Sequence, residues 1–537
     1  MWLSHADDTL PQRTGAASRQ MQPTHYSGII LFSLPITTKA PARTMLTPLN
    51  LTLPPTTVSS PDPAQMAAHL ADLPLALTLQ GAADMAELLA HSNAQAMDSA
   101  QRLQLFALFL PHIERMLPLL DSEYHQRELS ATRRARDAAQ LARRLHSESL
   151  VALKHCLQGQ LQHKAAPGQR LALLQRVLLA CRDMLHTYLT TYHPLPDGFW
   201  LDCHGLYRYA LQQGWQDDSE LGRHYKALLL LGLSNSNRLS PLQLTRLIHL
   251  AGQEADRVML HTGQAEGQAL CVLPDSDKAP AYCEYPPAGS WQLHTGALTE
   301  AINLHLLELC HNPQQHPDED AELYLALLHD WQRPGLRRET REPTGGTVQL
   351  VSTLAACWHQ LNGRSWDFAA TGDGSEEVAY RNRLAQRSPP PPPMSMHIIN
   401  RSPSGLQLLG HSTSHALRNG ELVILREDGE SDARWQCALV RWVSYGHALE
   451  TRCGLEIIAR HAEPLMVRAG HAHPGDTTTL ALRLDPAQTP GQLLLSGRPY
   501  LRLGSMALTG WHGTEQARML RISKQTPGYQ LIEIHTG

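Results

Sequence analysis

From residue 396 to the C-terminus the chain is a succession of short apolar runs broken by Gly, Asn, Asp and Ser, and this pattern excludes a helical fold for that part of the molecule. The runs MHIIN, GLQLLG, ELVILRED, RWQCALVRWVSY and RCGLEIIAR have the length of strands. Separated by such turns, the runs have the pattern of a small antiparallel barrel. The tail repeats the pattern in TTTLALRLD, QLLLSG, YLRLGS, ARMLRIS and YQLIEIH, which is sufficient for a second small β module at 466–537.

Upstream, the period changes. Residues 64 to about 260 read as helices. In ATRRARDAAQLARRLHSE the apolar positions Ala138, Leu141 and Leu145 share one face, and Arg133, Arg134, Arg136, Arg143 and Arg144 lie mostly on others. Those arginines form a solvated basic side or a docking surface for an acidic partner. QRLALLQRVLLACRDMLHTYL is richer in Leu and belongs to the core, and Pro194 and Pro196 interrupt it. Asp197 is positioned as an N-cap for the next helix, with Trp200, Leu201, Leu206, Tyr207 and Leu211 facing inward. Ser240-Pro241 opens another helix. The helices pair as a bundle or a short solenoid. Short strands follow from about 268, then helices at LTEAINLHLLELC and DEDAELYLALLHDWQ, a basic cluster RPGLRRETREP and a strand-like GTVQLVSTL.

The expected architecture is therefore a multidomain α+β chain: a flexible N-terminal extension and linker at 1–63, a mainly helical domain at 64–329, a barrel at 330–465 and the small β module at 466–537. Residues 363–395 interrupt the barrel with a polar, turn-rich stretch and five prolines, Pro389 to Pro393, that require extended polyproline II backbone. Residues 1–44 read as a weakly structured extension, with Met45 an alternative start.

Composition narrows the function. Across 537 residues, 46 basic and 50 acidic side chains leave a formal net charge of −4, which excludes a protein dedicated to coating duplex DNA or an anionic membrane. Hydrophobic residues at 42% are enough to build cores and exclude wholesale disorder. Nine cysteines with no C-x-x-C spacing point to reduced thiols and a cytoplasmic address. The 30 histidines include no H-E-x-x-H or paired Cys/His zinc spacing, so no metal or cofactor is expected. No secretory signal and no apolar run of 18 residues is read from the sequence.

The chemistry is concentrated in the first barrel. Asn400-Arg401-Ser402-Pro403-Ser404-Gly405 joins two strands. Asn offers donors and acceptors, Ser a hydroxyl, and Gly allows positive φ and close backbone approach. With Gly420-Glu421-Leu422-Val423, Val440-Arg441-Trp442 and Cys453-Gly454-Leu455-Glu456-Ile457 downstream, the segment resembles the PilZ domain, the bacterial receptor module for cyclic di-GMP. Asn400, Ser402 and Gly405 match that family's [D/N]-x-S-x-x-G motif.

The resemblance implies an antiparallel barrel, cyclic di-GMP as ligand, and an R-x-x-x-R arm ahead of the first strand. Two segments fit the arm. Arg337-Arg338-Glu339-Thr340-Arg341 precedes GTVQLVSTL directly, at a separation of 59 positions from Asn400; Arg383-Leu384-Ala385-Gln386-Arg387 lies 13 positions from it, across the prolines. Arg337, Arg338 and Arg341 are preferred, and Arg383 and Arg387 are the alternative. Guanidinium suits a dianion with two guanines, because it binds phosphate bidentately, contacts guanine O6 and N7, and stacks on bases. The resemblance implies a non-catalytic effector that couples the second messenger to a protein partner through the helical region, in surface attachment, type IV pili or motility. The alternative is a degenerate PilZ-like scaffold that docks proteins without nucleotide. No Walker A, G-x-S-x-G or metal-ligand motif points to an enzyme.

Overall fold

The computed structural model describes residues 49–57, 63–74, 77–125, 133–215, 219–265, 267–311, 321–332, 340–362, 392–411, 417–428, 434–446, 450–469, 479–487, 490–496, 504–510, 513–525 and 529–536. The 1–44 extension, most of the 363–395 insertion, and Arg337, Arg338, Arg383 and Arg387 lie outside the described residues.

The helical period is realised as α1 (Pro63–Ala71), α2 (Thr78–Asn93), α3 (Ser99–His125), α4 (Arg133–Gln162), α5 (Pro167–Thr190), α6 (Phe199–Gln212), α7 (Ser219–Leu233) and α8 (Pro241–Glu254). The apolar face of α4 buries Ala135, Ala138, Ala142 and Leu145, and the small alanines let α3 and α5 pack closely on either side. Its arginines are not one free basic surface. Arg134 pairs with Glu123 of α3 at 2.8 Å, while Arg143 turns in beside Tyr124 and Tyr188, where burial lowers its guanidinium to about 10. Helix α3 is long and apolar enough to cross a membrane by length and composition, contrary to the sequence reading. Yet Leu105, Phe109, Ile113, Met116 and Leu120 form one buried row along it, so it serves as a core helix.

Ser240 caps α8 as expected, through a reciprocal capping box with Gln243. Asp197 does not cap α6. Gly198, at φ +83°, occupies that position, and the cap is supplied from far along the chain. Asp277 accepts from the Gly198 and Trp200 amides at 2.6 and 2.9 Å. A carboxylate at a helix N-terminus also complements its dipole. Trp200, Leu206 and Tyr207 are buried on α6, but Leu201 is 38% exposed.

A four-stranded antiparallel sheet follows the helices: β1 (Met259–His261), β2 (Ala269–Val272), β3 (Ala281–Cys283) and β4 (Trp291–His294), in the order β1-β4-β2-β3. Helices α9 (Gly296–His311) and α10 (Ala321–Gln332) pack together, and α10 is fastened to the end of α7. Trp331 donates to Ser234 Oγ at 3.0 Å, and Asp330 accepts from the Asn235 amide at 2.8 Å.

The middle barrel contains β5 (Glu342–Pro343), β6 (Thr347–Ser352), β7 (Met394–Ser402), β8 (Gly405–His411), β9 (Leu422–Glu427), β10 (Gln436–Tyr445) and β11 (Glu450–Ala459). Pairing runs β7-β6-β9-β10-β11-β8 and closes through β7–β8. The short β5 lies on β7 beyond β6, and the two behave as one strand interrupted at Gly345-Gly346, where Gly346 has φ +133°. Between β6 and the insertion lies an unforeseen helix, α11 (Leu354–Asn362). Met394 and Ser395, assigned by sequence to the insertion, already belong to β7.

The C-terminal barrel is closed, with β12 (Ala462–Ala469), β13 (Thr479–Leu484), β14 (Gly491–Ser496), β15 (Ser505–Gly510), β16 (Gly513–Gln525) and β17 (Tyr529–Thr536) in the order β12-β13-β14-β17-β16-β15. Its first strand begins at Ala462, inside the span the sequence assigns to the preceding barrel.

Candidate functional site

Residues directly opposite in an antiparallel sheet share a face, so the pairing register shows which side chains stand together. One row crosses the middle barrel from β5 to β10: Pro343 opposite Asn400, Asn400 opposite Gln407, Gln407 opposite Gly454, and Gly454 opposite Trp442. The adjoining β8 and β11 residues Leu406, Leu408, Cys453 and Leu455 are buried inside the barrel, so the row lies on its outer surface.

Three polar side chains meet on this row. Asn400 Nδ2 donates to Gln407 Oε1 at 2.6 Å. Arg341 enters immediately before β5, and its Nη1 reaches the same oxygen at 3.5 Å. The interrupted β5–β6 strand thus delivers the arginine beside the asparagine although 59 positions separate them. Farther along, the Trp442 indole lies across Gly454, because a Cβ there would stand 1.9 Å from Trp442 Nε1. With no side chain at Gly454, the side chain that follows Gln407 in this row is the Trp442 indole.

Of the other expected site residues, Ser402 and Gly405 close the two-residue turn between β7 and β8. Gly405 is needed for close approach rather than for a left-handed backbone: a Cβ there would lie 2.3 Å from the Leu455 carbonyl oxygen, and its φ is not positive. Arg401, beside Asn400, is held by Glu427 at 2.6 Å. Arg441 pairs with Glu456.

Gln407 was missed from sequence. The signal was available, since it stands two residues after Gly405, at the next position of the same parity on β8. Nothing local in the sequence marks the joint between this barrel and the helices. The Tyr445 amide, at the end of β10, donates to the Tyr192 carbonyl at 2.8 Å, and the two rings meet edge to face. Asn419 donates to the Arg238 carbonyl beside it. Glu421 accepts from the Arg418 amide at 2.9 Å, and burial pushes its carboxyl up to about 7.

Comparison with known proteins bears directly on this arrangement. A family model described as "Cyclic-di-GMP receptor FimW, N-terminal domain" matches residues 64–266, and one described as "Cyclic-di-GMP receptor FimW, middle PilZ domain" matches residues 370–464. The chain belongs to the PilZ-domain receptor family. A curated relative, "Cyclic-di-GMP receptor FimW" of Pseudomonas aeruginosa, is 23% identical over 543 residues, covering 86% of this chain and 88% of the relative. The middle barrel is thus a PilZ barrel. The matched span starts after α11, so β5, β6 and Arg341 lie ahead of it, whereas Arg383 and Arg387 fall inside it. Among the described residues no group of three or more His, Cys, Asp and Glu is arranged to hold a metal ion.

Proposed function

We propose that the chain is a non-catalytic effector that binds cyclic di-GMP on the Asn400–Gln407–Gly454–Trp442 row of its PilZ barrel, with Arg341 as part of the arginine arm. The observation that carries this reading is the convergence of Arg341 and Asn400 on one amide oxygen, at the edge of a surface that ends in the half-buried Trp442 indole. A guanidinium there can bind a phosphodiester, the Asn400 amide and Ser402 hydroxyl can read a guanine edge, and Trp442 offers a stacking face. The Arg341–Gln407 contact is long and to a neutral acceptor, so an anionic ligand readily displaces it.

The same strand supports coupling to the helical region. Trp442 and Tyr445 both lie on β10, and Tyr445 is bonded to Tyr192. Movement of Trp442 on ligand stacking is transmitted along a strand that cannot stretch, and it shifts the seat of the barrel on the helices. We place the effector in the cytoplasm, with a protein partner on the helical domain, and in surface attachment or type IV pilus function.

The test is calorimetric titration of the full chain with cyclic di-GMP, beside Arg337→Ala/Arg341→Ala, Arg383→Ala/Arg387→Ala and Asn400→Ala variants. Removing a charge-assisted hydrogen bond costs about 1.5–3 kcal/mol, or roughly ten- to hundredfold in affinity. Loss in the first pair and in Asn400→Ala supports the arm as placed. Loss in the second pair alone moves the arm to Arg383 and Arg387, within the matched PilZ span. Absence of binding by the intact protein refutes the receptor reading in favour of a scaffold that docks proteins without nucleotide.

A further inference from the structure

The two barrels have the same topology. Numbering the strands of each barrel from one to six, starting at β6 and at β12, both close in the order 1-2-3-6-5-4, with every neighbouring pair antiparallel. They also share an irregularity. In the PilZ barrel the β10–β11 register slips between Val440 and Trp442, which oppose Leu455 and Gly454. In the C-terminal barrel the β16–β17 register slips between Met519 and Arg521, which oppose Ile534 and Glu533. The β16–β17 register slips again between Ile522 and Lys524, and of the two slips the first aligns with that of the PilZ barrel, because it brings a glutamine of the third strand, Gln407 or Gln492, opposite the same place in both barrels.

That alignment converts the PilZ row into its counterpart. Gly454 corresponds to Glu533 and Trp442 to Arg521; Gln407, opposite Gly454, corresponds to Gln492, opposite Glu533; and Asn400 corresponds to Leu484. The glutamine is retained, and everything that could meet a dinucleotide has changed. Glu533 places a carboxylate where the PilZ barrel is bare, and it is tied to Arg521 at 2.6 Å. Leu484 is 2% exposed.

Leu484 is buried because α11 and the other barrel cover this end of the face. Leu482, Leu484, Leu494 and Tyr529, from β13, β14 and β17, form one apolar cluster with Val351, Leu422, Ile424, Cys437 and Leu439 of the PilZ barrel. Helix α11 is wedged into the cluster through Leu354, Cys357 and Trp358, and Trp358 Nε1 donates to the Leu465 carbonyl of β12 at 2.9 Å. The interior core of the C-terminal barrel is a separate cluster built from Leu465, Val467, Leu493, Leu508, Met519 and Ile532, among others.

We infer that the C-terminal barrel is a second PilZ-type barrel in which the Asn400 end of the ligand-face equivalent, at Leu484, has become part of the surface that docks it on the first, with α11 as the key between them. It acts as an abutment that holds β6 and β9 of the PilZ barrel. The shared strand order, the register and the packing at the joint hold whatever the PilZ barrel binds. One consequence rests on the proposed function: each chain has a single dinucleotide face.

The test uses the full chain carrying Leu484→Asp, with Trp358→Ala as a second variant on the opposite side of the joint and Leu520→Asp, at an exposed position of β16, as control. Hydrogen exchange is followed in peptides spanning β6–α11 and β9, and separately in those spanning β15 and β16. Leu484→Asp and Trp358→Ala are expected to reduce protection in the β6–α11 and β9 peptides by about tenfold or more while β15 and β16 keep theirs, and Leu520→Asp to change neither. Unchanged protection at β6–α11 and β9 in both variants overturns the abutment. Loss in β15 and β16 as well shows that Leu484 belongs to the barrel's own core, which also overturns it. In calorimetry, a wild type that binds and an Asn400→Ala chain that retains a site sensitive to Arg521→Ala would overturn the single-face consequence. A wild type that fails to bind refutes the proposed function and leaves the exchange result to judge the docking.

Discussion

Replacing Gly405 with alanine separates what the motif glycine does for the fold from what it does for a ligand. The new Cβ would stand 2.3 Å from the Leu455 carbonyl oxygen, and 3.4 Å from its carbon. Ordinary contact requires the backbone of β8 or β11 to move by about 1 Å, since the obstacle is a peptide group and not a flexible side chain. Gly405 opposite Glu456 is the last pair of the β8–β11 ladder, and the Ile457 amide donates to the Ser404 carbonyl just beyond it at 2.9 Å. Relief therefore comes from fraying that end, at a cost of about 1–3 kcal/mol for overpacking and a lost terminal hydrogen bond. For a domain of this size that is a fall in Tm of roughly 3–10 °C. The assay is thermal unfolding without ligand, with Ser402→Ala, which introduces no such clash, as the companion. Gly405→Ala melting at the wild-type temperature would refute the reasoning and make the glycine a direct ligand determinant.

Gly454→Ala must displace the Trp442 indole, because the added methyl would lie 1.9 Å from its Nε1; tryptophan emission should shift, and cyclic di-GMP affinity should fall about tenfold if stacking contributes 1–3 kcal/mol. Glu421 has its carboxyl raised to about 7 by burial, so the stability linked to its neutral form is full below the ordinary carboxyl range and is lost as pH rises through 7. Glu421→Gln should remove that loss, about 1–2 kcal/mol between pH 5 and 8 after solvent screening, and parallel urea midpoints for the two proteins would contradict it. Lys154 and Asp202 form a buried pair at 2.5 Å, with Asp202 also accepting from the Thr52 amide. Lys154→Met should cost about 3–5 kcal/mol in chemical denaturation, with much of it recovered in Lys154→Met/Asp202→Leu. Asp277→Ala uncovers the first amides of α6 and should lower stability by about 1–2 kcal/mol.

Alternation made the barrels legible because each strand must divide its side chains between an apolar interior and an outer surface, and that division is written locally. Leu406 and Leu408 are interior residues on β8, with Gln407 between them on the outside. Which outer residues become neighbours is not local. Arg341 meets Asn400 only because a glycine bulge lets β5 continue the track of β6 along β7, and the Asp277 carboxylate reaches α6 across a loop 77 residues from the Trp200 amide it caps. The motif glycine shows the same limit: its identity was readable, but its reason was the Leu455 carbonyl on another strand.

The second barrel carries this furthest. Leu482 and Leu484 sit on the outward side of β13, while Ala481, just before Leu482, lines the interior. Read alone, a strand that is apolar on both sides marks burial on both faces, yet it does not say what covers the outer one. The cover is α11, which no strand pattern announces, with the PilZ barrel packed behind it. Asn400 and Leu484 occupy equivalent positions in equivalent barrels, and the difference between them follows from what lies over each: Asn400 stands on an outer surface beside Gln407, and Leu484 packs into the joint with the twin barrel.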